Sequence, residues 1–373
     1  MIKILRKLFH FVHRLSPRRN HAVIWGWPDY EDSVVAVEQA LQKTRVDKVV
    51  LLMTDPNAKS PFDLGKKTIR IKKTSPAGLF WFCTARYVFF THPCFAREFP
   101  KDVVSVNIWH GMPIKRIGWM LEGEEGIRCS HTLATSEFWM KVVEESMRSG
   151  GKVVDIGLPR NDRLFSDRSD VLSKIGLGED KHLFAWLPTY RKSVCGDIRS
   201  DGIDYGNLFA MPDIDPEALN AYLETMNAVL VVKPHPMAEF TQSKIWSHLK
   251  FVDHSWFSQH KLSLYEFLGA TDLLISDISS VVIDYLLLDR PVIHAFSDLE
   301  VYKKSRGFSV EPVENYFVGP AVRDSDGLIE ALEKFFSDGD LEAEKRREMI
   351  NLCHTYKDSN ATRRLIEEIS LLE

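Results

Sequence analysis

Apolar positions along this chain fall in short blocks of alternating or continuous hydrophobics, and most blocks run straight into polar text. Residues 21–27 (HAVIWGW), 47–53 (DKVVLLM), 85–92 (ARYVFFTH), 102–109 (DVVSVNIW), 132–136 (TLATS) and 151–157 (GKVVDIG) have the length and β-branched content of strands. Between them lie helical patterns, SVVAVEQALQK and SEFWMKVVEESMR. The alternation restarts at KHLFAWLPTYR and continues through NAVLVVKPHP, DLLISDISS and PVIHAF, with DPEALNAYLETM, LSLYEFLGA and SVVIDYLLL as helices. Strands alternating with helices predict parallel sheets covered on both faces. The fold expected is therefore α/β, with two doubly wound Rossmann-like domains facing across a cleft and ligands held at the carboxyl ends of the strands. We place them at residues 20–168 and 169–373, and expect the polar stretch Lys192–Pro216 to be a long mobile loop.

Residues 1–19 form a separate element. MIKILRKLFHFVHRLSPRR holds six Lys and Arg residues and no acidic one. At about 100° per residue, Ile4, Leu5, Leu8, Phe9, Phe11, Val12 and Leu15 share one half of the wheel, while Lys3, Arg6, Lys7, His10, His13 and Arg14 fill the other. Pro17 stops the helix. Such an amphipathic helix suits an anionic membrane surface, with packing onto the protein body as the alternative.

Composition narrows the function. A chain of 373 residues exceeds one ordinary core, and 45% hydrophobic with 27% charged residues describes a folded globular protein. A net charge of -4 disfavours a nucleic-acid partner. The five cysteines (Cys83, Cys94, Cys129, Cys195, Cys353) show no metal-site spacing. No apolar run approaches the ~18 residues of a membrane span, so the expected location is peripheral, on the cytoplasmic face of a membrane.

The candidate chemistry lies at the strand exits. In NIWHGMPIKRIGW, His110 follows an apolar strand, Gly111 permits close backbone approach, and an imidazole titrating near neutrality can take a proton from a hydroxyl. Lys115 and Arg116 either hold anionic oxygens or are solvated. In VVKPHP, Pro234 and Pro236 stiffen the backbone around His235, which with Lys233 suits stabilisation of a phosphate oxygen. Ser279 and Ser280 precede an apolar helix and present hydroxyls and backbone N–H groups to an anion; Asp284 either accepts a ligand hydroxyl or is solvated. Arg160 and Arg191 follow prolines at strand ends, where a guanidinium grips a diphosphate or pairs with a nearby acid. The chain has neither G-x-x-x-x-G-K-[ST] nor G-x-G-x-x-G, which disfavours a P-loop NTPase or a dinucleotide dehydrogenase. The Asp213–Asp215 stretch names no convergent ligands, so a metal-independent mechanism without a cofactor is expected.

In order along the chain, WHGMPIKRIG, TSEFW, GLPRND, LPTYR, KPHP and TDLLISDISSVVIDYLLLDRPVI resemble the CDP-glycerol glycerophosphotransferase family, which builds teichoic acids and some capsule polymers. Met112 stands where the family commonly has threonine, and Leu158 where it commonly has tyrosine. The resemblance implies a GT-B-like fold, a single transferase module, and transfer of glycerol phosphate or a related polyol phosphate from a CDP-linked donor to a lipid-linked or polymeric acceptor, with CMP released. It implies His110 as base, and His235, read from its own setting as a second catalytic group, falls among its donor positions. The donor positions it carries over are Trp109, Gly111, Lys115, Arg160, Pro188, Thr189, Lys233, Pro234, Ser279, Ser280 and Asp284, to which the strand-exit reading adds Asn161 and Arg191. A GT-B glycosyltransferase or epimerase using a UDP-sugar is the alternative.

Overall fold

The computed structural model describes residues 2–123, 126–189, 203–234, 244–277, 279–338, 340 and 342–371, with side chains from Phe9 onward. The chain divides into two compact units: residues 1–112, 117–163 and 353–373 form the first, and residues 113–116 and 164–352 the second.

The first unit is built on seven parallel strands: β1 (Arg19–Trp25), β2 (Lys48–Met53), β3 (Thr68–Lys72), β4 (Ala85–Phe90), β5 (Val104–Asn107), β6 (His131–Ala134) and β7 (Lys152–Asp155). Their order is β3-β2-β1-β4-β5-β6-β7. Val23 of β1 pairs with Val50 on one side and Val88 on the other, so the centre of the sheet is a continuous layer of β-branched side chains. Helices cover both faces, which is why these strands read as unbroken apolar runs. The chain order reverses between β1 and β4, the switch point where doubly wound sheets leave a crevice.

The second unit repeats the plan with six parallel strands: β8 (His182–Leu187), β9 (Ala228–Val232), β10 (Leu249–Phe251), β11 (Leu273–Ser276), β12 (Val292–Ala295) and β13 (Ala321–Val322). The order β10-β9-β8-β11-β12-β13 puts its switch point between β8 and β11.

Three expectations need correction. The C-terminal segment belongs to the first unit: Asp162 accepts from the backbone N–H of Ala361 (2.8 Å) and Thr362 (2.9 Å), capping the helix Ala361–Glu368. A boundary at residues 168/169 therefore misses this return. The described part of the expected loop, residues 203–216, is not a loose excursion: Phe209 and Met211 are buried in the second unit's core with Trp186, Leu219 and Phe251. Residues 192–202, including Cys195, lie outside the described residues.

The third concerns the N-terminal helix, which spans Ile2–Leu15. His13, assigned to its polar face, is fully buried against Phe9, Phe82 and Phe99. Burial lowers its pKa to about 4, with the nearby Arg18 adding to the effect. The helix thus docks by the Phe9–His13 edge, leaving Phe11 (61% exposed), Val12 (43%) and Leu15 (66%) on the surface.

Candidate active site

In the first unit, three strand exits are tied together at the switch point. Gly26 follows β1, and a Cβ there would sit 2.3 Å from Val34 Cγ2, so only glycine lets the turn pass the next helix. Trp27 then donates its backbone N–H to Thr91 Oγ1 (3.3 Å) at the end of β4. The same hydroxyl is 2.8 Å from His92 Nδ1, and the Thr91 carbonyl is 2.9 Å from His110 Nδ1, just beyond β5. A carbonyl only accepts, so His110 Nδ1 carries the proton and Nε2 keeps its lone pair.

His110 is presented by strained backbone. Trp109 sits at φ 43° and Gly111 at φ 123°, the second a conformation open essentially to glycine alone. Asn107 Oδ1 accepts from the Trp109 N–H at 3.2 Å and holds the first of these turns. The His92 ring stacks on His110 with centroids 4.2 Å apart and planes 10° from parallel, and Trp109 lies 4.0 Å away at 35°. Burial lowers the His110 pKa to about 4; the Thr91 carbonyl opposes this and the positive charge of Arg160 adds to it. His110 is therefore neutral, and able to accept a proton, across the physiological range.

Arg160 is enclosed, 3.7 Å from Glu31 Oε1. Of the two roles the sequence left open, the structure shows the ion pair. Glu31 also caps the helix Asp32–Leu41 by accepting from the Ser33 N–H (2.9 Å). Burial raises its pKa to about 7, while Arg160 pulls it down. Asn161 is likewise buried, and its side-chain amide makes no hydrogen bond.

In the second unit, the two strands flanking the switch point are joined by side chains. Thr189, beyond β8, donates from Oγ1 to Asp277 Oδ1 (2.6 Å) and from its backbone N–H to Asp277 Oδ2 (3.1 Å), beyond β11. Lys115 Nζ donates to Thr189 Oγ1 at 3.1 Å and lies 5.2 Å from the centre of the Tyr302 ring. Lys115 is thus fixed rather than solvated. Arg116 is engaged elsewhere, donating to the Phe308 carbonyl (3.1 Å) and pairing with Glu311. Lys233 and Pro234 follow β9 and are buried, as is Pro188 after β8. His254, close enough to Lys233 to feel its charge, begins the helix that follows β10.

A model of the CDP-glycerol:poly(glycerophosphate) glycerophosphotransferase family matches residues 8–371. The chain belongs to that family. Among curated relatives, the teichoic acid ribitol-phosphate polymerase TarL of Staphylococcus aureus is 28% identical over 306 residues, 76% of this chain and 51% of TarL. The teichoic acid poly(glycerol phosphate) polymerase of Bacillus spizizenii is 22% identical over 367 residues, covering 89% of this chain and 88% of that one. The chain spans about half the length of the first two relatives, 51% and 56%. Among solved structures, the wall teichoic acid polymerase TagF superposes with a TM-score of 0.76 at 18% identity, over 98% of this chain and 92% of TagF. The UDP-GlcNAc 2-epimerase from Neisseria meningitidis gives 0.53 at 12% identity, over 94% and 99%. Both likenesses speak to fold, and the α/β, GT-B-like class is that of TagF.

Within this glycerophosphotransferase fold, the positions picked from sequence separate by unit. Trp109, His110, Gly111, Arg160 and Asn161 lie in the first unit; Lys115, Pro188, Thr189, Lys233, Pro234, Ser279, Ser280 and Asp284 lie in the second. His235 and Arg191 lie outside the described residues. Asp284 is corrected: it is neither solvated nor at a surface, but fully buried, accepting from the Tyr265 hydroxyl at 2.7 Å. Ser279 caps the helix Ser280–Tyr285. At six residues that helix carries little macrodipole, so attraction for an anion there rests on local N–H groups. His92 and Glu31 carry no sequence signal that marks a site residue, and no cluster of potential metal ligands occurs among the described residues.

Proposed function

We propose that this chain transfers glycerol phosphate, or a related polyol phosphate, from a CDP-linked donor to a hydroxyl of a lipid-linked or polymeric acceptor, releasing CMP, in the synthesis of a teichoic-acid-like or capsule polymer. Family membership supports the reaction class. The observation that carries the mechanism is the single tautomer of His110, with Nδ1–H committed to the Thr91 carbonyl and Nε2 left basic.

In this reading the acceptor oxygen attacks the β-phosphorus of the donor while its proton passes to His110 Nε2. The bond from that phosphorus to the bridging oxygen breaks, and the electron pair leaves with CMP. A phosphate leaving group has a second pKa of about 6 and departs without needing a proton, so neutralising its charge matters more than general acid catalysis. Lys115, held by Thr189 and Asp277, and Lys233 at the end of β9 are the cations the second unit offers for this; Ser279 and Ser280 add hydroxyls. His235 is assigned to the same diphosphate from the family resemblance, and Arg191 from its place after Pro188 at a strand exit. No metal or cofactor is invoked.

We assign the acceptor's membrane to the N-terminal helix. Phe11, Val12 and Leu15 are its open apolar stripe, in a segment whose sequence carries six Lys and Arg residues. Among the described residues no helix is long and apolar enough to cross a bilayer, so the association proposed is peripheral, at the cytoplasmic face.

The test is CMP release from CDP-glycerol and from CDP-ribitol with a teichoic-acid primer. His110→Ala should lower kcat by about 10² to 10⁴ while changing donor affinity little. A folded variant retaining near-normal turnover removes His110 from this role.

A further inference from the structure

We propose that His92 is a positioning residue for the transfer, stacking on His110 to hold the plane of its imidazole and so the direction of Nε2. The inference rests on the reading of His110 as the base and extends it to a residue that reading leaves unused.

A hydrogen bond from Nδ1 to the Thr91 carbonyl fixes the tautomer of His110 but only one point of the ring, which remains able to swing about that bond. A second constraint has to fix the plane. The near-parallel His92 ring at 4.2 Å supplies it, and Trp109 at 4.0 Å limits tilt on another side. His92 is itself held. Its Nδ1 bonds Thr91 Oγ1, which also accepts from Trp27, and the Trp27 ring meets His92 edge-on at 5.5 Å. Thr91 thus ties both imidazoles to the exits of β1 and β4, one through its hydroxyl and one through its carbonyl.

The stack also covers one face of the His110 ring, and water kept from that face cannot stabilise an imidazolium. The charged or titratable groups acting on the ring are His92 from the β4 exit and Arg160 from the segment Pro159–Phe165, the latter beside Glu31. The permanent charge of Arg160 makes a proton on His110 less favourable. Removing His92 therefore does two things: it frees the ring to rotate, and it exposes a face to solvent, which moves the His110 titration from about 4 back toward 6.5.

The experiment compares His92→Ala, His92→Phe and the parent in the full chain. Nitrogen-15 histidine NMR titrates His110, with the signal assigned by its loss in His110→Asn, and steady-state CMP release gives kcat and donor KM against pH. His92→Ala should lower kcat at least about tenfold with donor KM within about twofold, because misdirection of a base costs rate rather than binding. Its acid limb and its His110 titration should both move upward. His92→Phe keeps a stacked ring and should hold kcat within about threefold of the parent. If His92→Ala does not fold, His92→Leu, which fills space without a planar ring, takes its place.

An alanine or leucine variant with parental kcat and an unmoved His110 titration overturns the proposal. So does a folded phenylalanine variant as impaired as alanine, since the imidazole nitrogen and not the stack would then matter. If His110→Asn itself keeps full turnover, the base assignment falls instead, and the NMR titration still decides whether His92 holds the ring.

Discussion

Thr189 uses one hydroxyl twice, donating to Asp277 and accepting from Lys115, and so sets where the ammonium stands. Thr189→Val keeps the shape and removes both bonds. Removing this acceptor of Lys115 should weaken binding of a CDP-linked donor roughly tenfold, about 1.4 kcal/mol, with a smaller effect on kcat at saturation. Calorimetric titration with CDP-glycerol measures this; an unchanged affinity would mean that Lys115 is placed by other contacts. Residue by residue, the site was legible where a polar side chain left an apolar strand in an unusual context, as with His110, Lys115, Thr189 and Lys233. His92 leaves β4 in the same manner, but a lone histidine after a phenylalanine pair carries no spacing that marks it. Glu31 was hidden because helix-start text at Asp32 and Ser33 explains the acidic residue equally well, and its ion pair with Arg160 joins positions 129 apart in the chain. Asp284 misled for another reason. Every residue from Val281 to Tyr285 is buried, so this helix has no polar face from which an exposed position can be deduced.

At the scale of elements, the long strands and the helices of the alternating pattern were readable, whereas the helices Pro76–Thr84, Ser325–Asp338, Ala343–Cys353 and Ala361–Glu368 were not, nor were the strands β3, β10 and β13. Each is an edge or near-edge strand: TIRIK alternates with charge and is half-exposed, while LKF and AV are too short to show a period. The N-terminal helix was readable as a helix, but the wheel did not give its docking direction. Helical geometry put His13 with the basic residues, and an aromatic cage of Phe9, Phe82 and Phe99 took it instead. Docking by one edge separates two functions that a substitution series can distinguish. Phe11→Glu with Leu15→Glu should abolish most binding to vesicles containing acidic phospholipid, since two exposed apolar side chains are lost and two repulsive charges gained. Raising salt from 0.1 to 0.5 M should weaken parental binding, because basic residues near such a surface contribute on the order of 1 kcal/mol each. Flotation assays report both effects; binding equal to the parent's in the double variant would refute a lipid-facing stripe.

For the whole molecule, burial of neutral histidines sets a pH dependence whose sign follows from linkage. His13 in the first unit and His294 in the second are both buried and held down to about 4 from 6.5. His294 accepts a hydrogen bond from the Val318 N–H at 3.0 Å, which protonation of that nitrogen would break. Between pH 6.5 and 4 the unfolded chain binds these protons and the folded chain does not, so stability falls as pH falls through that window. For one such group the loss at pH 5 is about 2 kcal/mol. Glu31 acts in the opposite sense: with its folded pKa raised to about 7 from 4.5, the folded state holds the extra proton and loses stability as pH rises through that interval. In the first unit the raised carboxyls Glu31, Asp155 and Asp162 act against four lowered histidines, His13, His21, His110 and His131, and in the second unit His254 and His294 are both lowered, so the net effect is acid destabilisation. His13 allows the sign to be tested on one side chain. Its two ring nitrogens make no hydrogen bond, and its ring packs against Phe9, Phe82 and Phe99, so His13→Phe removes a titrating group without orphaning a hydrogen-bond partner. Urea midpoints measured at pH 7.5 and 5 should fall on acidification in both proteins, but by less in the variant, whose advantage should grow to about 2 kcal/mol at pH 5. Equal falls would show that His13 is protonated in the folded state, and the docked edge of the helix would then have to be open to water.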